Sequence, residues 1–162
     1  MKIENKGYYG VGGIYISVLP DNTSKSHIGE YVKSLLPPFP LDIFHDEAHM
    51  TVMYSKTSGI DVEQMVAPDE IVALPIKFEY WDGHDRDGYL VLSMVSKPAS
   101  DLHDHILSLG AEHNFDDYSP HMTIIHGIGK YKKEIIEWIN KSNKNFKMDL
   151  IHFNTLQYNR CK

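Results

Sequence analysis

Apolar and polar positions change their period along the chain, and each change marks an element. In "GGIYISVLP" (12–20), Ile14, Ile16 and Val18 alternate with Tyr15 and Ser17, the two-residue period of a strand. Ile28, Val32 and Leu35 in "TSKSHIGEYVKSLL" (23–36) fall at helical spacing, and "PPFP" (37–40) stops that helix. A strand period returns from His49 to Tyr54. The same order then recurs: a strand in "GYLVLSMV" (88–95), a helix in "SDLHDHILSLGAEHNF" (100–115), and a further strand from His121. In this second helix Ser100 is the expected N-cap, with Leu102, Ile106 and Leu109 on one face. Gly13 precedes His49 by 36 residues and Gly88 precedes His121 by 33, so order and spacing both repeat.

Between the two halves, "IVALPIKFEYW" (71–81) and "GYLVLSMV" read as hairpin arms around the Asp- and Gly-rich turn "DGHDRDG" (82–88). "YKKEIIEWIN" (131–140) is a helix, and "FKMDLIHFNTLQYN" (146–159) is one long strand or two short ones. Met94, Met122, Leu102, Ile106, Leu109 and Trp138 are expected in the core. The pattern predicts an α+β fold: two pseudo-symmetric lobes of mainly antiparallel sheet, with outer helices and a central groove. It predicts a single domain over residues 1–162, duplicated internally at about 8–70 and 71–162.

Composition narrows the functional classes. With 42% hydrophobic and 23% charged residues the chain is globular in character, and no apolar run approaches a membrane span. "MKIENKGYYG" at the start is not a signal peptide. The only cysteine, Cys161, excludes a disulfide scaffold and argues against a cysteine zinc site, which fits a reducing cytoplasm. A net charge of −6 argues against a protein that grips long nucleic acid, but not against a small anionic ligand in a local pocket. Nothing calls for a membrane or an obligate protein partner.

The chemistry lies in a repeated triplet. "DEAHMTVMYS" (46–55) and "YSPHMTIIHG" (118–127) both contain His-Met-Thr followed by apolar residues, where composition predicts roughly 0.01 such triplets by chance. Alternate strand residues share a face, so His49 and Thr51 project together, as do His121 and Thr123, while Met50 and Met122 turn to the core. If a pseudo-twofold relates the lobes, both pairs face one groove. One neutral imidazole can then take a proton and one imidazolium can give one, while the hydroxyls stabilise charge on a phosphoryl group. No metal or other cofactor is needed. The other histidines, including His27, His84, His103, His105 and His113, read as exposed or structural.

Other motifs fail on inspection. "HDEAH" (45–49) lacks the helical order of a zinc motif and continues as a strand, and "DGHDRDG" is too short for a calcium loop. "GVGG" near the start is too short for a nucleotide fingerprint.

His49-Met50-Thr51-Val52 and His121-Met122-Thr123-Ile124 resemble the paired H-x-T-h motifs of the 2H phosphoesterase superfamily, whose LigT-like fold is also two-lobed. Within it, "GGIYISVLP", "AHMTVMYS", "SPHMTIIHG" and "MDLIHFNTLQYNR" are most similar to the anti-CBASS nucleases of T4-like phages. The resemblance implies a metal-independent phosphodiesterase acting in the infected bacterial cytoplasm. Its substrates would be cyclic di- and trinucleotides, such as 3′,3′-cyclic GMP-AMP or cyclic triadenylate. Two other classes remain: a 2H enzyme acting on 2′-5′ oligoadenylate or on RNA 2′,3′-cyclic phosphate ends, and a non-catalytic protein that sequesters cyclic nucleotides.

Bases are held by stacking and by edge hydrogen bonds. Tyr15 points from the first strand towards the groove. Trp81, beside the Asp/Gly turn, is placed to close over a ligand. Tyr118 can line the entrance, and Asp149 can accept from a guanine edge. These four are the expected substrate contacts.

Overall fold

The computed structural model describes residues 1–8, 13–40, 43–44, 47–57, 60–83, 86–112 and 117–160. Seven strands and three α-helices are found among them: β1 (Lys2–Tyr8), β2 (Ile14–Pro20), α1 (Asn22–Ser34), β3 (Met50–Ser55), β4 (Ile71–Trp81), β5 (Tyr89–Val95), α2 (Lys97–Ser108), β6 (His121–His126), α3 (Lys132–Lys144) and β7 (Ile151–Arg160). The strands form one sheet in the order β1-β7-β2-β3-β6-β5-β4. Ile71 to Ala73 of β4 also pair with Phe153 to Ile151 of β7, so the sheet curls until its β4 end meets the strand next to its β1 end. All pairings are antiparallel except that of β1 with β7. The fold is therefore α+β with a mainly antiparallel sheet. Helix α2 packs on β3 and β4, α3 on β4, and α1 on β7.

The seam between the lobes is a single bridge in which Met50 faces Met122, both fully buried. These are the same residue of the two His-Met-Thr motifs, so a pseudo-dyad runs between them. Outward from it the registers correspond: Ser17 faces Thr51 and Tyr15 faces Tyr54 on one side, while Val91 faces Thr123 and Tyr89 faces His126 on the other. Each register skips one residue after the threonine, Val52 in β3 and Ile124 in β6, which is the signature of a β-bulge. As a result Val52 and Met53 are buried side by side, as are Ile124 and Ile125, and Tyr54 and His126 return to the face of the threonines. Gly13 and Gly88, which open the two repeats, both have left-handed φ (86° and 76°). A Cβ on Gly88 would meet the Gly129 backbone at 2.6 Å, and one on Gly13 would strike the Ser55 carbonyl.

Three elements depart from the sequence reading. Helix α2 starts at Lys97, not at Ser100, because Ser96 is its cap: the Ser96 hydroxyl accepts from the Ala99 N–H (3.2 Å) and donates to the Val72 carbonyl (2.7 Å). Pro98 in the first turn costs nothing there, since the N–H it lacks has no partner within the helix. The helix ends at Ser108, short of 115, with Gly110 in a left-handed conformation just beyond. Ser96 is buried, so Ser96→Ala is expected to cost about 1–2 kcal/mol, read as a lower urea midpoint at constant slope. The C-terminal strand is one element that begins only at Ile151. Strand β1 was not foreseen: its Lys, Glu and Asn residues are those of an exposed edge, and they hide the strand period.

Most of the expected core is observed. Ile14, Ile16, Val18, Ile28, Val32, Met94, Leu102, Ile106, Met122 and Trp138 are buried. Leu109, expected beside them, is only partly buried and is the C-cap of α2. No helix is long and apolar enough to cross a membrane among the described residues.

Candidate active site

His49 precedes β3 and His121 opens β6, each half-buried at the inner end of its strand. Their ring contacts match: His49 Nδ1 lies 2.8 Å from the Glu47 carbonyl, and His121 Nδ1 lies 2.9 Å from the Ser119 carbonyl. A carbonyl can only accept, so in both rings Nδ1 carries a proton, and Nε2 is the nitrogen left to take or give one. The two lobes thus hold their imidazoles in one tautomer by one device, the carbonyl two residues upstream.

Burial pushes the His121 imidazole below its ordinary pKa. The Ser119 carbonyl opposes this, nearby His49 adds to it, and Glu79 opposes it further. The Trp81 ring lies 4.4 Å from the His121 ring, tilted by 49°, and helps to exclude water from it.

Thr51 and Thr123 follow on the same faces, both partly exposed. The Tyr15 and Thr51 hydroxyls are 2.9 Å apart. Tyr15 also meets His49 and Tyr54 edge-on, at centroid distances of 6.5 and 6.0 Å. Beneath this group the bulge in β3 breaks the ladder and turns two carbonyls away from it. The Tyr118 hydroxyl donates to the Thr51 carbonyl (2.9 Å), and His103 Nδ1 donates to the Val52 carbonyl (2.7 Å). The two rings stack at 4.4 Å with only 7° between their planes. Burial raises the Tyr118 hydroxyl well above the usual tyrosine range, so it remains a donor.

Tyr118 therefore lines the groove and also holds up the strand that carries Thr51. Tyr118→Phe leaves a carbonyl of the bulge without its partner and is expected to cost about 1–3 kcal/mol, measurable in a denaturant titration.

Two compartments make up the groove, and Tyr15 lines both. One, of about 460 Å³, is bounded by Thr51, Tyr54, Trp81, Tyr118 and His121. The other, of about 360 Å³, is bounded by Lys6, Glu47, His49, Gln157 and Asn159. Tyr15, Trp81 and Tyr118 are thus brought to His49, Thr51 and His121. Asp149 is not: it lines a separate hollow with His27, Tyr31 and Lys147, against α1. Tyr54, Lys6, Gln157 and Asn159 were missed. The bulge explains Tyr54. The i, i+2 spacing of Gln157 and Asn159 in β7 was the available signal for the other wall.

Of the histidines read as exposed or structural, His103 is structural, and His84 and His113 lie outside the described residues. So do His45 and Asp46 of "HDEAH". Among the described residues no three His, Cys, Asp or Glu side chains converge in a way that could hold a metal ion. What the site offers is two imidazole nitrogens in opposite lobes with a hydroxyl beside each, suited to moving protons onto and off oxygens of a bound anion.

A family model described as anti-CBASS protein Acb1 matches residues 12–157. The anti-CBASS protein Acb1 of Vibrio phage KVP40 is 31% identical over 112 residues, covering 69% of this chain and 71% of that protein. The one from Salmonella phage S16 is 30% identical over 118 residues, covering 72% and 74%, and that of Enterobacteria phage T4 is 29% identical over 117 residues, with the same coverage. A solved structure described as a phosphoesterase superposes with a TM-score of 0.50 at 13% identity, over 74% of this chain and 75% of its own. At that identity the likeness is one of fold.

Proposed function

The chain belongs to the anti-CBASS protein Acb1 family, and on that premise we propose that this phosphodiesterase opens cyclic di- and trinucleotide signals at 3′-5′ linkages without a metal ion. The observation that carries the reading is the matched pair of histidines, each fixed through Nδ1 so that Nε2 is offered to the groove.

The steps follow from that geometry. His121, kept neutral by burial, takes the proton of a ribose 2′-OH. The 2′ oxygen attacks the adjacent phosphorus while Thr51 and Thr123 donate to the non-bridging oxygens. His49 gives a proton to the departing 5′ oxygen. The products are a 2′,3′-cyclic phosphate and a free 5′-OH. Water can open the cyclic ester with the roles exchanged, leaving a 3′-phosphate.

A cyclic dinucleotide carries only two phosphates, which suits a compact groove in a chain of net charge −6. The natural setting is the cytoplasm of the infected bacterium, with 3′,3′-cyclic GMP-AMP or cyclic triadenylate as substrate. The repeated β-α-β unit, with its bulge and glycine in matching places, fits a duplicated single domain.

The test is incubation with 3′,3′-cyclic GMP-AMP in EDTA, followed by mass spectrometry. Linear or mononucleotide products ending in 2′,3′-cyclic or 3′-phosphate are expected, at the rate seen without chelator. Loss of activity restored by zinc overturns the metal-free mechanism. An intact ring overturns the reading itself, in favour of other 2H substrates if the ring does not bind and of sequestration if it binds tightly.

A further inference from the structure

The two compartments have different walls, and the strand pairings show where the lobes differ. Asn159 of β7 pairs with Tyr15, and Trp81 of β4 pairs with Tyr89; Gln157 pairs with Ser17, and Glu79 with Val91. Where one lobe presents Trp81, the other therefore presents an amide. The indole side can stack a base, whereas the amide side can read the edge of one.

Hydrogen bonding fixes what the amides offer. Gln157 is almost fully buried, and its Nε2 donates to Glu4 Oε2 (3.0 Å). A carboxylate can only accept, so the amide cannot be turned the other way, and Oε1 is the atom left for the cavity. Glu4 is held as an anion, its pKa down at about 2, by hydrogen bonds from Lys2, Gln157 and Lys6. Asn159 Nδ2 is directed to the Lys6 carbonyl (3.4 Å), which leaves Oδ1 as its acceptor. The exposed Glu47 carboxylate adds further acceptors, and Lys6, leaning on Glu4 at 3.3 Å, supplies one cation at the rim.

A lining rich in acceptors with a single cation is complementary to guanine. That base presents N1–H and N2–H₂ donors beside its O6 and N7 acceptors. Adenine offers one amino group on its pairing edge, and uracil one imide N–H.

We propose that the compartment of Lys6, Glu47, Gln157 and Asn159 is a second nucleobase subsite that selects guanine. The proposal rests on the reading that cyclic dinucleotides occupy the groove, with the other base against Trp81.

Rings lacking the 2′-OH cannot react by the proposed mechanism, so they report binding alone. Equilibrium binding of the 2′-deoxy forms of 3′,3′-cyclic GMP-AMP and of cyclic di-AMP to the whole protein is the experiment. The guanine ring is expected to bind about 10- to 100-fold more tightly, the discrimination of one good base-edge pairing. Gln157→Met and Glu47→Gln should each erode that preference, falling on the guanine ring far more than on the adenine ring. Glu47 is exposed, so its variant remains informative should Gln157→Met fold poorly.

Equal affinity for the two rings, equal losses on both, or no binding of either overturns the proposal. The hydrolytic reading fails separately: guanine-selective binding with ribose rings left intact removes hydrolysis and keeps the subsite. Cleavage without guanine preference does the reverse.

Discussion

Replacing His121 or His49 by alanine is expected to lower kcat on 3′,3′-cyclic GMP-AMP by about 10²- to 10⁴-fold in each case, the usual contribution of a positioned general acid or base. Each variant loses the one nitrogen that its lobe offers to the groove, because Nδ1 is already committed to the Glu47 or Ser119 carbonyl. The two residues act in one concerted transfer, so the double variant should be little worse than either single one. Both rings are partly exposed at the ends of strands, and melting temperatures should stay near that of the parent. The depressed pKa of His121 sets the pH profile. A base works only when unprotonated, so the acid limb of kcat/KM should be shifted down from the ordinary histidine value, and protonation below it should abolish activity. Asparagine at position 121 should remove that limb. Near-normal rates in both alanine variants would sink the mechanism.

How much of this was written in the sequence depends on how local the signal was. The strand–helix–strand repeat was legible because each element buries one face, and Ile14, Ile16 and Val18 or Leu102 and Ile106 show that face directly. The catalytic candidates were legible for the same reason, since a histidine and a threonine two residues apart share a side of any strand. Strict alternation then failed at the bulges. It would have buried Tyr54 and left Met53 in the groove, whereas the structure does the opposite. The consecutive apolar pairs Val52-Met53 and Ile124-Ile125 were the only local hint. Pairings between distant strands leave no such hint. Asn159 comes beside Tyr15, and Gln157 beside Ser17, because β7 joins β2, and Asp149 lies away from the groove because β7 starts only at Ile151. Tyr118 looked like a residue at the entrance. Its main tie, to the Thr51 carbonyl, is made across 67 residues and exists only because the bulge frees that carbonyl.

Thr51→Val and Thr123→Val are each expected to lower kcat by about 10²- to 10³-fold, the cost of losing one donor to developing charge. Valine keeps the shape and the strand preference, so the loss reports the hydroxyl alone. The two threonines are not equivalent, because only Thr51 lies within hydrogen-bond distance of a tyrosine hydroxyl, that of Tyr15 at 2.9 Å, among the described contacts. If the Tyr15 hydroxyl donates, it occupies a lone pair of Thr51 and leaves the threonine proton to point at the phosphoryl oxygen. Tyr15→Phe should then lower kcat through Thr51, and Tyr15→Phe combined with Thr51→Val should be no worse than Thr51→Val alone. Thr51→Ser should restore most of the rate. If instead Tyr15 serves only to contact a base, Tyr15→Phe will leave kcat intact, and Tyr15→Ala will raise KM by the same factor whether residue 51 is Thr or Val. The double-mutant cycle separates these outcomes because coupling between the two hydroxyls appears only in the first case.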